Sequence, residues 1–131
     1  MPFINSPSAK KEYLMDSFET SGEIILQPGA SSVPYSFTFN PASSATANDG
    51  AIPFDTTISS AAVKAFDIYG ADKTSELVVS SSVASPVVNV VLKYPATGSG
   101  RYSLEFVLTL STGAGMEFDF TRIRVLDIVM A

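Results

Sequence analysis

The chain has 131 residues, 46% of them hydrophobic and 16% charged, with 8 Lys+Arg against 13 Asp+Glu for a formal net charge of -5. That length suits one domain with a core of its own, and a thinly spread acidic charge whose densest basic run is Lys10-Lys11 speaks against nucleic acid as a partner. With no Cys, no His and no Trp, the chain lacks thiolate nucleophiles, imidazole bases and nearly every route to a zinc site, so most enzyme classes are excluded and no cofactor is expected.

Residues 1–18 carry Phe3, Ile4, Tyr13, Leu14, Met15 and Phe18 among polar neighbours, too many large apolar side chains for a disordered tail. Charges at Lys10, Lys11, Glu12 and Asp16 leave no continuous apolar run for a signal-peptide core, and no segment of the chain approaches the roughly 20 apolar residues of a membrane helix. Ser8 could cap a short helix with Leu14 and Phe18 four apart, and an extended arm serves equally. The expectation is an N-terminal arm, residues 1–18, that lays those six side chains against a neighbouring subunit, followed by one domain over 19–131. An edge strand or short helix of the same domain is the alternative.

Within the domain, residues 23–26 form a short apolar run stopped by Gln27-Pro28-Gly29, and Tyr35, Phe37 and Phe39 alternate along a strand that ends at Asn40-Pro41. Small residues fill 41–53, with a turn signal at Asn48-Asp49-Gly50. Strands are expected over 61–69, ending at Gly70-Ala71-Asp72-Lys73, and over 76–80. Residues 87–94 are apolar on both faces, which marks a central strand.

The clearest element is 101–110, where Tyr102, Leu104, Phe106, Leu108 and Leu110 alternate with Arg101, Ser103, Glu105, Val107 and Thr109. The Gly-rich stretch Ser111-Thr112-Gly113-Ala114-Gly115 then turns the chain into 116–128, so the pattern predicts a hairpin. The second strand changes phase: Met116, Phe118 and Phe120 are apolar on even numbers, Ile123 and Val125 on odd ones. One extra residue near Thr121, a β-bulge, repairs this and keeps Arg122 and Arg124 out of the core. Pairing Leu110 with Met116 sets Phe106 against Phe120 and, past the bulge, Glu105 against Arg122, an expected structural ion pair. Seven strands at this spacing, with no convincing amphipathic helix, predict a sandwich or barrel.

Other constellations read more simply as structure. Glu117 and Asp119 share one strand face and could pair as acid and base, but their alternation with apolar neighbours describes a solvated surface. Asn48, Asp49 and Asp55 lack the spacing of a calcium loop, and Asp67 and Asp72 flank a turn at Gly70. Strand alternation puts most of the five tyrosines in or near the core, which argues against a sugar-stacking platform.

Gly98-Ser99-Gly100-Arg101-Tyr102-Ser103-Leu104 resembles the D-x-G-x-Y-x-C stretch before strand F of immunoglobulin-like domains. The resemblance implies that Tyr102 ties its hydroxyl back to nearby backbone, with Gly98 and Gly100 shaping the corner. Gly98 stands where the family has Asp, and Leu104 where it has Cys. A wider similarity over 35–128 is to small immunoglobulin-like structural proteins of tailed bacteriophages. It runs through Tyr35-Ser36-Phe37-Thr38-Phe39, Asp55-Thr56-Thr57-Ile58-Ser59-Ser60-Ala61-Ala62-Val63, the valine-rich 87–92, and Tyr102 to Leu110, with Thr57 one residue more than that pattern allows.

The resulting expectation is an immunoglobulin-like β-sandwich of about seven strands with an N-terminal arm, binding other proteins without catalysis. The resemblance implies a homo-oligomeric virion component assembled in the host cytoplasm, a capsid decoration or cement protein that binds capsid or tail subunits. A neck or tail accessory protein is the near alternative, and an adhesive or glycan-binding module the alternative from another class.

Overall fold

A computed structural model describes residues 11–15 and 23–129 of the chain. Among them eight strands follow in the order β1 (Glu12–Leu14), β2 (Ile24–Leu26), β3 (Val33–Thr38), β4 (Ile58–Asp67), β5 (Val78–Ala84), β6 (Val87–Leu92), β7 (Gly100–Leu110) and β8 (Gly115–Val125), with one helical turn, α1 (Thr74–Leu77), between β4 and β5. They make two four-stranded sheets, β1-β3-β6-β5 and β2-β8-β7-β4. Matched in chain order to the immunoglobulin strands, the first sheet corresponds to A-B-E-D, and the second adds a parallel edge strand to G-F-C. The protein is an all-β sandwich.

Period-2 alternation decides which residues the sheets enclose. Tyr102, Leu104, Phe106, Leu108 and Leu110 of β7 are all buried, while the side chains between them are half-buried or exposed. β6 lies inside its sheet between β3 and β5, as its doubly apolar pattern predicts, and buries Val88, Val90 and Leu92 completely. Between the sheets Phe37 meets Phe106 with ring centroids 4.8 Å apart and Phe120 at 5.3 Å, while Phe39 meets Phe106 at 5.4 Å and Phe118 at 5.0 Å. These tilted and edge-on rings form the centre of the core.

The β7–β8 hairpin has its bulge where the phase change demands it. Tyr102 pairs with Ile123 and Leu104 with Phe120, so β8 carries one extra residue at Thr121-Arg122. The register is two residues away from the expected one: Leu108, not Leu110, faces Met116, and Phe106 faces Phe118. The turn is the reason. Leu110 N–H donates to Ala114 O at 2.8 Å and Gly113 N–H to Leu110 O at 2.9 Å, closing a tight tip over residues 111–113 with Gly113 at φ 90. Only glycine adopts that left-handed conformation without cost, and it lets the ladder run further into the Gly-rich stretch than a five-residue loop would.

A slip of two keeps every side chain on its own face, so the core is unaffected, but the outer-face partners all change. Glu105 lies opposite Asp119, not Arg122, and Arg101 lies opposite Arg124. The expected Glu105–Arg122 pair does not form.

Two other elements depart from expectation. Residues 76–80 do not make one strand: Thr74–Leu77 turn once as a helix that buries Leu77, and β5 begins at Val78. Its Ser80-Ser81-Ser82 run has no apolar alternation because β5 is an edge strand, paired on one side only. Of the two expectations for the N-terminal segment, residues 11–15 follow the alternative, an edge strand of the same domain. Glu12–Leu14 pair in parallel with Ser36, Phe37 and Thr38 of β3, extending the first sheet.

Tyr13, expected at an interface with a neighbour, is 1% exposed in the domain's own core. Its ring stacks on Phe37 at 5.4 Å and meets Phe120 edge-on at 5.0 Å, and its hydroxyl donates to Glu23 O at 3.1 Å. Met15 packs against the same core, and Leu14 points outward, 48% exposed. Phe3, Ile4 and Phe18 lie outside the described residues.

Candidate interaction surface

β4 ends at Asp67, and the chain reverses over residues 68–71 before α1. Asp67 organises that reversal. Its backbone N–H donates to Ala71 O at 3.1 Å, its backbone carbonyl accepts from Gly70 N–H at 3.1 Å, and its carboxylate Oδ1 accepts from Tyr69 N–H at 2.9 Å and Ala71 N–H at 3.0 Å. Asp72 fastens the other side, its Oδ1 accepting from Thr74 N–H at 2.9 Å and from the Thr74 hydroxyl at 2.6 Å. Both aspartates thus serve the loop itself.

On the tip so fixed stand Ile68, 66% exposed, and Tyr69, 88% exposed. The backbone that carries these large apolar side chains is already ordered, so binding there removes little loop entropy. Beside them lies an open cleft of about 340 Å³ lined by Asp67, Ile68, Arg101, Tyr102, Ser103 and Thr121. The alternation pattern puts 61–69 in a strand and most tyrosines near the core, whereas β4 ends at Asp67 and Tyr69 is exposed. The usable signal was Asp67 followed by Gly70, a turn starting two residues before Tyr69.

Tyr102 forms the floor of this region, and its role follows the immunoglobulin-like pattern. Its hydroxyl donates to Gly98 O at 2.7 Å. Gly98, at φ 99, turns the chain so that its carbonyl comes within reach, and Gly100 opens β7 opposite Val125. Burial of the ring, reinforced by the charges of Glu76 and Asp67, raises the phenol above its ordinary pKa of 10.0. Tyr102→Phe removes only the hydroxyl, so the expected loss is about 0.5–1.5 kcal/mol in denaturant titration, with the fold retained. An unchanged midpoint would show that the corner hydrogen bond does not contribute.

The outer face of the second sheet carries the strongest charge pattern. Arg101, Arg122 and Arg124, the chain's three arginines, gather at the end of β7 and β8 where the bulge lies. Glu105, Asp119 and Glu117 occupy the rows further towards the hairpin tip. Arg124 is paired with Glu23 at 2.9 Å. Among the described residues Arg101 and Arg122 have no ion pair, and neither do Glu117 and Asp119. Glu117 and Asp119 are both exposed side by side on this face, as the alternation predicts.

The remaining acidic candidates are turn elements. Asp49 accepts from Ser43 N–H at 2.9 Å and from the Ser43 hydroxyl at 2.6 Å. Among the described residues no three acidic side chains converge as a metal-binding group. Hydrogen bonds from Ser43 to Asp49, from Thr74 to Asp72 and from Thr97 to Glu76 lower these carboxyls below their ordinary values of 3.8, 3.8 and 4.5. A lowered folded-state pKa contributes stability that is present above the unfolded value and lost as pH falls through the folded one. The raised pKa of Tyr102 acts at the other end, with stability present below 10.0 and lost as pH rises through the folded value. Thermal midpoints are therefore expected to be level from about pH 6 to 8 and to fall in acid below about pH 4. A steep change near neutrality would require a titrating group that this arrangement does not contain.

Comparison with protein-family models, curated proteins and solved structures finds no match to the chain.

Proposed function

We propose that this protein is a virion structural component of a tailed bacteriophage, most specifically a capsid decoration or cement protein that binds and stabilises neighbouring subunits. The observation that carries the binding role is the loop tip. Ile68 and Tyr69, 66% and 88% exposed, are large anchors on a turn locked by four hydrogen bonds to Asp67, next to a cleft with an arginine on its rim. Tyrosine and arginine at the centre of a desolvated contact carry much of the energy in protein interfaces.

The virion setting is supported by the resemblance of residues 35–128 to small immunoglobulin-like phage proteins, and the tyrosine corner that Tyr102 makes with Gly98 supports the immunoglobulin-like part of that resemblance. Quantitative mass spectrometry of purified particles tests it: a structural component is present in a fixed number of copies, and absence from the particle sinks the setting. The paired variant Ile68→Ser, Tyr69→Ser tests the site, since it should reduce incorporation while leaving the melting midpoint unchanged.

The open ring of Tyr69 favours one second reading, a glycan-binding module that stacks a sugar on that face. Saturable binding to a glycan, lost in Tyr69→Ala, would select it over the virion role.

A further inference from the structure

The hairpin register leaves the outer face of the β2-β8-β7-β4 sheet with its charges sorted into like-signed rows. Arg101 stands directly opposite Arg124, and Glu105 directly opposite Asp119. Like charges in opposed positions of an antiparallel pair destabilise it, so the register set by the turn at Gly113 leaves this face with unfavourable pairs in the single chain. Local relief is partial. Glu23 pairs with Arg124 at 2.9 Å, and Lys64 stands opposite Glu105 on β4, but among the described residues Arg101 and Arg122 at one end, and Glu117 and Asp119 at the other, are exposed without an ionic partner.

We propose that this face is a self-association surface on which a second copy of the chain packs, strands antiparallel, so that the arginine end of each copy covers the acidic end of the other. The match is geometric as well as electrostatic. From Arg101 to Val107, the row that holds Glu117, is six residues, or roughly 20 Å at the strand rise. A two-fold axis crossing the strands between the Ser103 and Glu105 rows brings Arg101 and Arg124 over the partner copy's Val107 and Glu117. It brings the Arg122 region over Asp119.

The axis makes each contact twice, as an isologous dimer requires, and the charge pattern alone selects it over a parallel arrangement that would stack like on like. Beside the charges the face presents Phe66 in the Ser103 row and Ala62 and Val107 in the Glu117 row, outward-facing side chains that the partner would cover. Four strands about 4.8 Å apart over about 25 Å offer on the order of 450 Å² per copy, which belongs to the weak, salt-sensitive class of interfaces.

This surface rests on reading the chain as a protein-binding module and is independent of the particle in which it works. Sedimentation equilibrium of the full chain at low ionic strength should show a monomer–dimer equilibrium below about 1 mM, weakened at least about tenfold at about 0.5 M salt. The variant Arg101→Glu, Arg122→Glu makes both ends acidic, and Glu117→Arg, Asp119→Arg makes both ends basic. Each alone should be monomeric and melt no lower than the wild-type chain, since Arg101→Glu and Asp119→Arg each convert a like-charge pair into an opposite one, and an equimolar mixture of the two should form a heterodimer tighter than the wild-type dimer.

A wild-type chain that stays monomeric at low salt, or a mixture of folded variants that stays monomeric, overturns the proposal. A dimer indifferent to both charge reversals overturns it as well. None of these results changes the copy number in particles, so failure here and failure of the virion reading are told apart.

Discussion

Phe106→Ala should cost about 3–5 kcal/mol of folding free energy, the range for truncating a fully enclosed aromatic. Phe106 is 0% exposed and lies between Phe37 at 4.8 Å and Phe39 at 5.4 Å, rings that reach it from the opposite sheet. The loss combines the transfer free energy of the ring with the cavity left between two sheets that hold each other apart. Backbone ladders on both sides of β7, to β4 and β8, prevent that strand from collapsing into the space. Denaturant titration is the measurement: the midpoint should fall with the slope unchanged. A loss under about 0.5 kcal/mol would mean that the strand alternation is assigned to the wrong face.

Tyr13→Ala should be destabilising by a similar amount, about 3–5 kcal/mol, although the residue sits in a strand of only three residues. Three interactions fail together. The ring leaves its stack on Phe37 and its edge contact with Phe120, the hydroxyl leaves Glu23 O, and the strand loses the anchor that holds its backbone against β3. Parallel pairing over three residues is too short to persist without that anchor. Removing residues 1–15 should therefore lower the melting midpoint sharply or leave the remainder unfolded. If the truncated chain melts where the full chain does and loses only assembly, β1 is an anchor for a partner and Tyr13 is not part of the folding core.

Side-chain faces were legible in the sequence because they depend on parity alone. Tyr102, Leu104, Phe106, Leu108 and Leu110 could not all be buried in any other way, and the phase change between Phe120 and Ile123 required an extra residue whose position a simple count locates. The interior position of β6 followed from its two apolar faces, and the Tyr102 corner from a short local motif whose hydrogen bond spans four residues.

Register, edge strands and surface pairing were decided only by the tertiary structure. The slip of two at the β7–β8 hairpin comes from a single backbone torsion at Gly113 that lets the turn tighten, and no apolar pattern distinguishes registers of equal parity. That slip is what separates Glu105 from Arg122 and sorts the outer-face charges into like-signed rows. The bounds of β5, expected over 76–80 and found over Val78–Ala84, are not legible because an edge strand of serines has no periodicity to read. The choice between an outward arm and an edge strand at β1 stays open in the sequence because nothing local in Glu12, Tyr13 and Leu14 announces that Tyr13 completes an aromatic cluster built from residues more than twenty positions away. Ile68 and Tyr69 likewise look like the end of a strand until Asp67 is seen holding the turn beneath them. Periodicity is a local property of the chain and survives in the sequence, whereas a partner across a sheet or across the core is chosen by turns and packing that only the folded chain brings together.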